Sequence, residues 1–147
     1  MKCGYNKCKC GGIVEKEVAV KLGNRYYHKD CYEEKKDKQE IEEYYLNNMP
    51  QTTLVMLRKV INQLIEKNGY NTKYILFTIK YIVKNKKPIN SPFGLVNYCN
   101  DKRIFQEYKN IEINNKYNNI KKEINKIEIY SKVNYKYKPS KRITDLI

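Results

Sequence analysis

The chain has no tryptophan and a single histidine, His28. That one imidazole lies between two groups of cysteines in CKCGGIVEKEVAVKLGNRYYHKDC, residues 8–31. If the cysteines share a metal with it, no imidazole is left as proton shuttle or nucleophile activator. Histidine-dependent nucleases and Ser-His or Cys-His hydrolases are then excluded. There is no Walker loop and no glycine-rich dinucleotide turn. The zinc-deaminase signature, H-x-E with P-C-x2-C, is missing because His28 is followed by Lys29-Asp30. Carboxylates gather in residues 30–43, but lysines interleave them, the pattern of a solvated helix face rather than of paired catalytic acids. The expectation is a protein that is not an enzyme, with no catalytic residues.

Long hydrophobic runs are lacking as well, so no bilayer span is expected and no membrane partner. Met1-Lys2 leads straight into Cys3-Gly4 without a signal-peptide pattern. The expected location is the cytoplasm, that of the host cell if the protein is viral. Thiols stay reduced there, so closely spaced cysteines beside a histidine read as metal ligands before disulfides.

Acidic residues are scarce where basic ones are abundant. The whole chain carries 30 Lys+Arg against 16 Asp+Glu, a formal net charge of +14. Residues 1–50 hold only about +1 of it, and residues 51–147 the remaining +13. A basic C-terminal two-thirds favours a polyanionic partner. Apolar residues make up 41% of the 147, below the usual range, although 15 tyrosines add amphipathic bulk. The core should be small, and part of the chain should need a metal, a partner or a second copy for order.

The pattern along the chain predicts a mainly α, small α+β protein: an N-terminal zinc-finger β-hairpin module, a helical body and one long C-terminal helix. Two short strands are expected around a turn at Gly23-Asn24, with Val18 and Val20 alternating against lysine. A charged helix should run from Lys29 to Leu46. A second fits Thr52 to Asn68, with Leu54, Leu57, Val60, Ile61 and Leu64 at helical spacing. A third should start at Asn71 as N-cap and end before Pro88. Residues 88–99 read as a loop holding one helical turn. The long helix is expected from Asp101 to Tyr130. Its early stripe, Ile104, Tyr108 and Ile111, should pack on the body. Its later one, Ile113, Tyr117, Ile120, Ile124 and Ile127, forms a heptad seam that a homodimer or an intramolecular contact would use. The domain reading is 1–46 for the finger and its charged helix, 47–130 for the helical domain and 131–147 for a basic Tyr/Lys tail.

His28-x2-Cys31 is the downstream half of a zinc site, for which the metal needs four soft N/S ligands supplied as two pairs from two turns. Upstream, Cys8-x-Cys10 is tighter than the usual C-x2-C, with Cys3 further back. The preferred ligand set is Cys8, Cys10, His28 and Cys31; the alternative replaces Cys8 or Cys10 with Cys3. Cys31 falls in the first turn of a helix, where the dipole should lower its thiol pKa. Gly11 and Gly12 suit backbone amides turned toward metal-bound sulfur. Such a sulfur-rich set is closed, so the expected cofactor is a structural Zn2+.

On these residues, segment 8–32 resembles half of a LIM domain or a related treble-clef zinc finger. The family's C-x2-C, its spacer of about 17 residues and its YHxxC correspond to Cys10-x17-His28 and YYHKDCY. The family's first cysteine position falls on Lys7, with Cys8 one place on. The resemblance implies a finger that folds around zinc and presents a surface to protein or nucleic acid. A second resemblance covers TKYILFTIKYIVKNKKPINSPFGLVNYC, which is similar to helical segments of small phage and prophage proteins of low-GC bacteria. Those read Gly-Ile-Val-Pro-Tyr where this chain has Gly94-Leu95-Val96-Asn97-Tyr98. It implies a viral origin.

Two segments suit a polyanion. Lys73, Lys80, Lys84 and Lys87 fall in one stripe of the third helix, flanked by Phe77 and Tyr81, with no acidic residue from Lys67 through Asn90. In the tail, Tyr135, Lys136, Tyr137, Lys138, Lys141 and Arg142 interleave ring and charge. Lysine outnumbers arginine, so binding to DNA or RNA should be largely electrostatic. The functional expectation is a phage-type zinc-finger protein that binds nucleic acid in regulation or replication. The alternative is an interaction module that inhibits a host enzyme or a nucleic-acid-guided defence complex, as anti-CRISPR proteins do.

Overall fold

The structure, a computed structural model, describes the backbone of residues 1–134 and the side chains of residues 1–127. In chain order come β1 (Val20–Leu22), β2 (Arg25–Tyr27), α1 (Lys29–Asn48), α2 (Leu54–Glu66), α3 (Thr72–Lys84), α4 (Gly94–Cys99) and α5 (Lys102–Asn134). The expected small α+β class is what forms. The chain divides into two compact units, Met1–Tyr108 and Lys109–Ile147.

Within the first unit, β1 and β2 form an antiparallel hairpin across Gly23-Asn24, in the register Val20↔Tyr27, Lys21↔Tyr26 and Leu22↔Arg25. Val18, expected to alternate within a strand, instead precedes β1 and is exposed. Residues 2–4 run alongside as an extended segment. Lys2 bridges to Ile13 and Cys3 to Tyr26, with Cys3 N donating to Gly12 O at 2.7 Å and Gly4 N to Tyr26 O at 2.8 Å. Gly4 permits this approach, because a Cβ there would lie 3.0 Å from the Tyr27 ring. The buried centre of the finger is small: Cys3, Val14, Tyr27 and Cys31.

The helical body has a larger core. Leu57, Val60, Ile61 and Leu64 of α2 are buried as their spacing predicts, whereas Leu54, in the first turn, faces out. From α3 come Tyr74, Ile75, Ile79 and Ile82, and from further along Leu95, Cys99 and Ile104. Side-chain caps start α2 and α3: Thr53 accepts from Met56 N, and Asn71 accepts from Lys73 N at 2.7 Å. Tyr74 donates to Cys99 O at 2.9 Å, and burial raises its phenol to about 12. Cys99 belongs to this core; burial pushes its thiol up to about 12. In α5, Ile104 and Tyr108 pack on the body as expected, while Ile111 is exposed.

Helix α1 serves both cores. Its first turn delivers Cys31 to the finger, and ten residues later Ile41 and then Tyr45 enter the body. Three further contacts tie the finger to the helices: a Lys7–Glu66 ion pair, Tyr5 Oη donating to Glu34 at 2.9 Å, and Lys38 donating to Tyr5 Oη at 2.6 Å.

Candidate metal centre and basic surface

Four side chains converge in the finger. The Sγ atoms of Cys3, Cys8 and Cys31 and one ring nitrogen of His28 all lie within 4.8 Å of one another. Each arrives from a different piece of local structure. Cys3 comes on the extended segment held between Gly12 and Tyr26. Cys8 sits in the turn that follows, with its amide bonded to Tyr5 O at 3.1 Å. His28 directly precedes α1 and Cys31 lies in its first turn, so the pair's spacing is fixed by the helix start.

The imidazole is oriented by its outer nitrogen. Nε2 donates to the Ile13 carbonyl at 2.8 Å, which leaves the Nδ1 lone pair facing the thiols, 3.4 Å from Cys8 Sγ and 3.8 Å from Cys31 Sγ. Tetrahedral zinc, with bonds of about 2.3 Å to sulfur and about 2.0 Å to nitrogen, places its ligands roughly 3.5–3.8 Å apart. A carbonyl holding the far N–H of a ligating histidine is the usual outer support of a metal site. The group thus has the donor set, spacing and second-layer hydrogen bond to hold a metal ion.

Electrostatics points the same way. Burial opposes ionisation of Cys3, but hydrogen bonds from the backbones of Tyr5 and His28 hold its thiol below the ordinary value. At Cys8 burial is likewise overcome, by the backbones of Cys10 and Gly12. Gly11 and Gly12 both have positive φ, 81° and 76°, the conformation that turns those amides inward and that other L-residues resist. Cys31 departs from the sequence expectation. The helix start should lower its thiol; instead burial and then the neighbouring thiols of Cys8, Cys10 and Cys3 push it up. Closely packed thiols cannot all ionise together unless a cation neutralises them.

The fourth ligand place differs from the preferred set. Cys8, His28 and Cys31 come together as expected, but Cys3 completes the group in place of Cys10. Cys10 is exposed, with its Sγ 3.8 Å from Cys31 Sγ. One intervening residue gives Cys8 and Cys10 a narrow bite, whereas the ladder along Gly12 and Tyr26 carries Cys3 inward and buries it.

The residues expected to meet a polyanion are distributed unevenly. Lys73, Lys80, Lys84 and Lys87 are all exposed. Lys80 Nζ lies over the Tyr44 ring, 5.4 Å from its centroid. Phe77 and Tyr81, expected to edge this stripe as solvent-facing platforms, are half-buried against the core. Their ring centroids are 6.4 Å apart, and Phe77 also meets Tyr108 at 5.3 Å. The core claims these rings because positions 77 and 81 neighbour the buried residues 74, 78 and 82 on the same helix. Tyr135, Lys136, Tyr137, Lys138, Lys141 and Arg142 lie outside the described residues.

A second basic feature was not visible in the sequence. A cleft of about 340 Å³ opens where the finger meets α1 and α2. Lys7, Arg25, Lys35, Lys38 and Arg58 line it, and Glu42 is its one lining carboxylate. Arg58 holds Glu42 through two parallel bonds at 2.8 and 3.1 Å. Lys7 pairs with Glu66 and Lys38 with Glu34. Arg25 and Lys35 have no carboxylate partner among the described residues. Lys35 donates to Tyr27 Oη at 3.1 Å. These cations come from four separate segments between residues 7 and 58, so no single local pattern announces them.

No helix among the described residues is long and apolar enough to cross a membrane. No family model, curated protein or solved structure matches the chain.

Proposed function

We propose that the protein is a non-enzymatic nucleic-acid-binding protein whose N-terminal finger is folded around a structural Zn2+. Three thiols and an imidazole nitrogen within 4.8 Å of one another favour zinc over harder cations, which prefer oxygen ligands. With Cys3, Cys8, His28 and Cys31 as ligands, the coordination sphere is full. The metal then supplies cross-linking and charge neutralisation, and no position for a reacting water. His28, held at both nitrogens, has no proton-transfer role.

The observation that carries the nucleic-acid reading is the cleft at the finger's edge, where five cations face one already paired carboxylate. Arg25 and Lys35 are the cations best placed to bind phosphate oxygens without giving up an ion pair. The exposed lysines of α3 and the basic tail add sequence-independent attraction. The compartment we infer is a reducing cytoplasm, where thiolates stay available to zinc.

Binding to single- and double-stranded DNA and RNA across a salt series tests this reading. The logarithm of the affinity should fall linearly with the logarithm of salt. On duplex DNA, Arg25→Ala with Lys35→Ala should make that slope shallower by about 0.9 for each phosphate the pair neutralises. Absence of binding at low salt would reject the reading. A stoichiometric host protein retained after nuclease treatment would favour the interaction-module alternative instead.

A further inference from the structure

Helix α5 leaves an apolar seam in water. Ile113, Tyr117, Ile120, Ile124 and Ile127 are each between 50% and 67% exposed, and they step by four, three, four and three. Tyr117 and Ile124 take the a positions of a heptad, and Ile113, Ile120 and Ile127 the d positions. The outer positions of the same turns, residues 115, 118, 119, 122, 125 and 126, are all asparagine or lysine. One face is thus built to be covered and the opposite face to be wet.

The charges beside the seam decide what covers it. Lys116 and Glu123 occupy the g positions, and Asn114 and Lys121 the e positions. Two parallel copies in register would set Lys116 against the partner's Lys121, like charge on like. Two antiparallel copies bring g against g, so that Lys116 meets the partner's Glu123 and Glu123 meets the partner's Lys116. The same alignment stacks Ile113 on the partner's Ile124 and Tyr117 on the partner's Ile120, each contact made twice. Lys116 is 71% exposed and only loosely tied to Glu112, at 3.6 Å on its own helix, so it is free to reach across.

We propose that the second unit is a dimerisation element: two copies of this chain pair antiparallel through residues 113–124, with the two-fold axis between Asn118 and Asn119. Such a pairing is self-complementary and closes on itself, so it stops at two chains. The inference is independent of the nucleic-acid reading and of the metal.

Sedimentation equilibrium of the full chain, stripped of nucleic acid at high salt and returned to about 0.15 M, tests it. The wild-type protein should be a dimer at tens of micromolar, and Ile120→Asp a monomer with unchanged metal content. Lys116→Glu and Glu123→Lys should each raise the dissociation constant severalfold by creating two like-charge pairs. The double variant Lys116→Glu/Glu123→Lys should restore it. A monomeric wild-type chain would overturn the proposal. So would tighter association of Lys116→Glu, because that outcome requires a parallel pair.

Discussion

The finger and the helical body share one helix and differ in what holds them. The finger buries four residues, two of them cysteines of the candidate metal site. The body's apolar core has thirteen buried residues, drawn from α1 through the start of α5, and all but Cys99 are Ile, Leu, Val or Tyr. Apolar burial on that scale is the ordinary means of offsetting chain entropy. Two three-residue strands over a core of four side chains do not reach it, so a metal at the candidate site would supply the finger with what apolar burial supplies to the body.

Removing the metal should break the comparison most visibly. Chelation, or His28→Ala, is expected to abolish amide protection across residues 1–28 while α2 and α3 keep theirs. The loss is on the order of 10 kcal/mol of metal-coupled folding. Hydrogen exchange resolved by peptide checks this, and equal loss in the body would show a single cooperative unit. Next comes the choice of thiol. Cys3→Ser should weaken zinc binding by more than about 100-fold, beyond what outer-layer changes cost, whereas Cys10→Ser should retain one equivalent. Competition with a chromogenic chelator separates the two, and the reverse result would return Cys10 to the ligand set.

The opposite lesion belongs to the body. Ile79→Ala should cost about 2–5 kcal/mol in denaturant unfolding of α1–α4 and leave metal stoichiometry at one. A smaller effect is expected where the two regions meet. Burial opposes the charge on Glu34, but Lys38 and Tyr5 hold its carboxyl below the ordinary 4.5. A depressed acid contributes stability that is fully present above pH 4.5 and is lost as pH falls through the folded-state value. Glu34→Gln should therefore lower stability near neutrality by ~0.5–1 kcal/mol, since the side chain is 37% exposed, and flatten the acid limb. Parallel pH profiles of the two proteins would show that the contact contributes nothing.

How legible each region was follows from where its information lies. The buried stripes of α2 and α3, the cap at Asn71, and the hairpin at Gly23-Asn24 are local patterns, and they form largely as spacing dictates. His28 and Cys31 are three residues apart at a helix start, and they too could be read. Cys3 could not be separated from Cys10, because the choice depends on a ladder that pairs residue 3 with residues 12 and 26. Phe77 and Tyr81 looked like surface rings beside a lysine stripe, until Tyr108 of α5 supplied something for Phe77 to pack on.

Periodicity, capping and cysteine spacing, all set within a few residues, determined from sequence alone that this would be a small, largely helical protein with a soft-donor group at its front and an excess of positive charge behind. Tertiary structure decided which thiol completes that group, which rings the core claims, and that cations between residues 7 and 58 meet around one cleft. Those outcomes depend on backbone segments distant in sequence lying side by side, and no short-range pattern encodes that proximity.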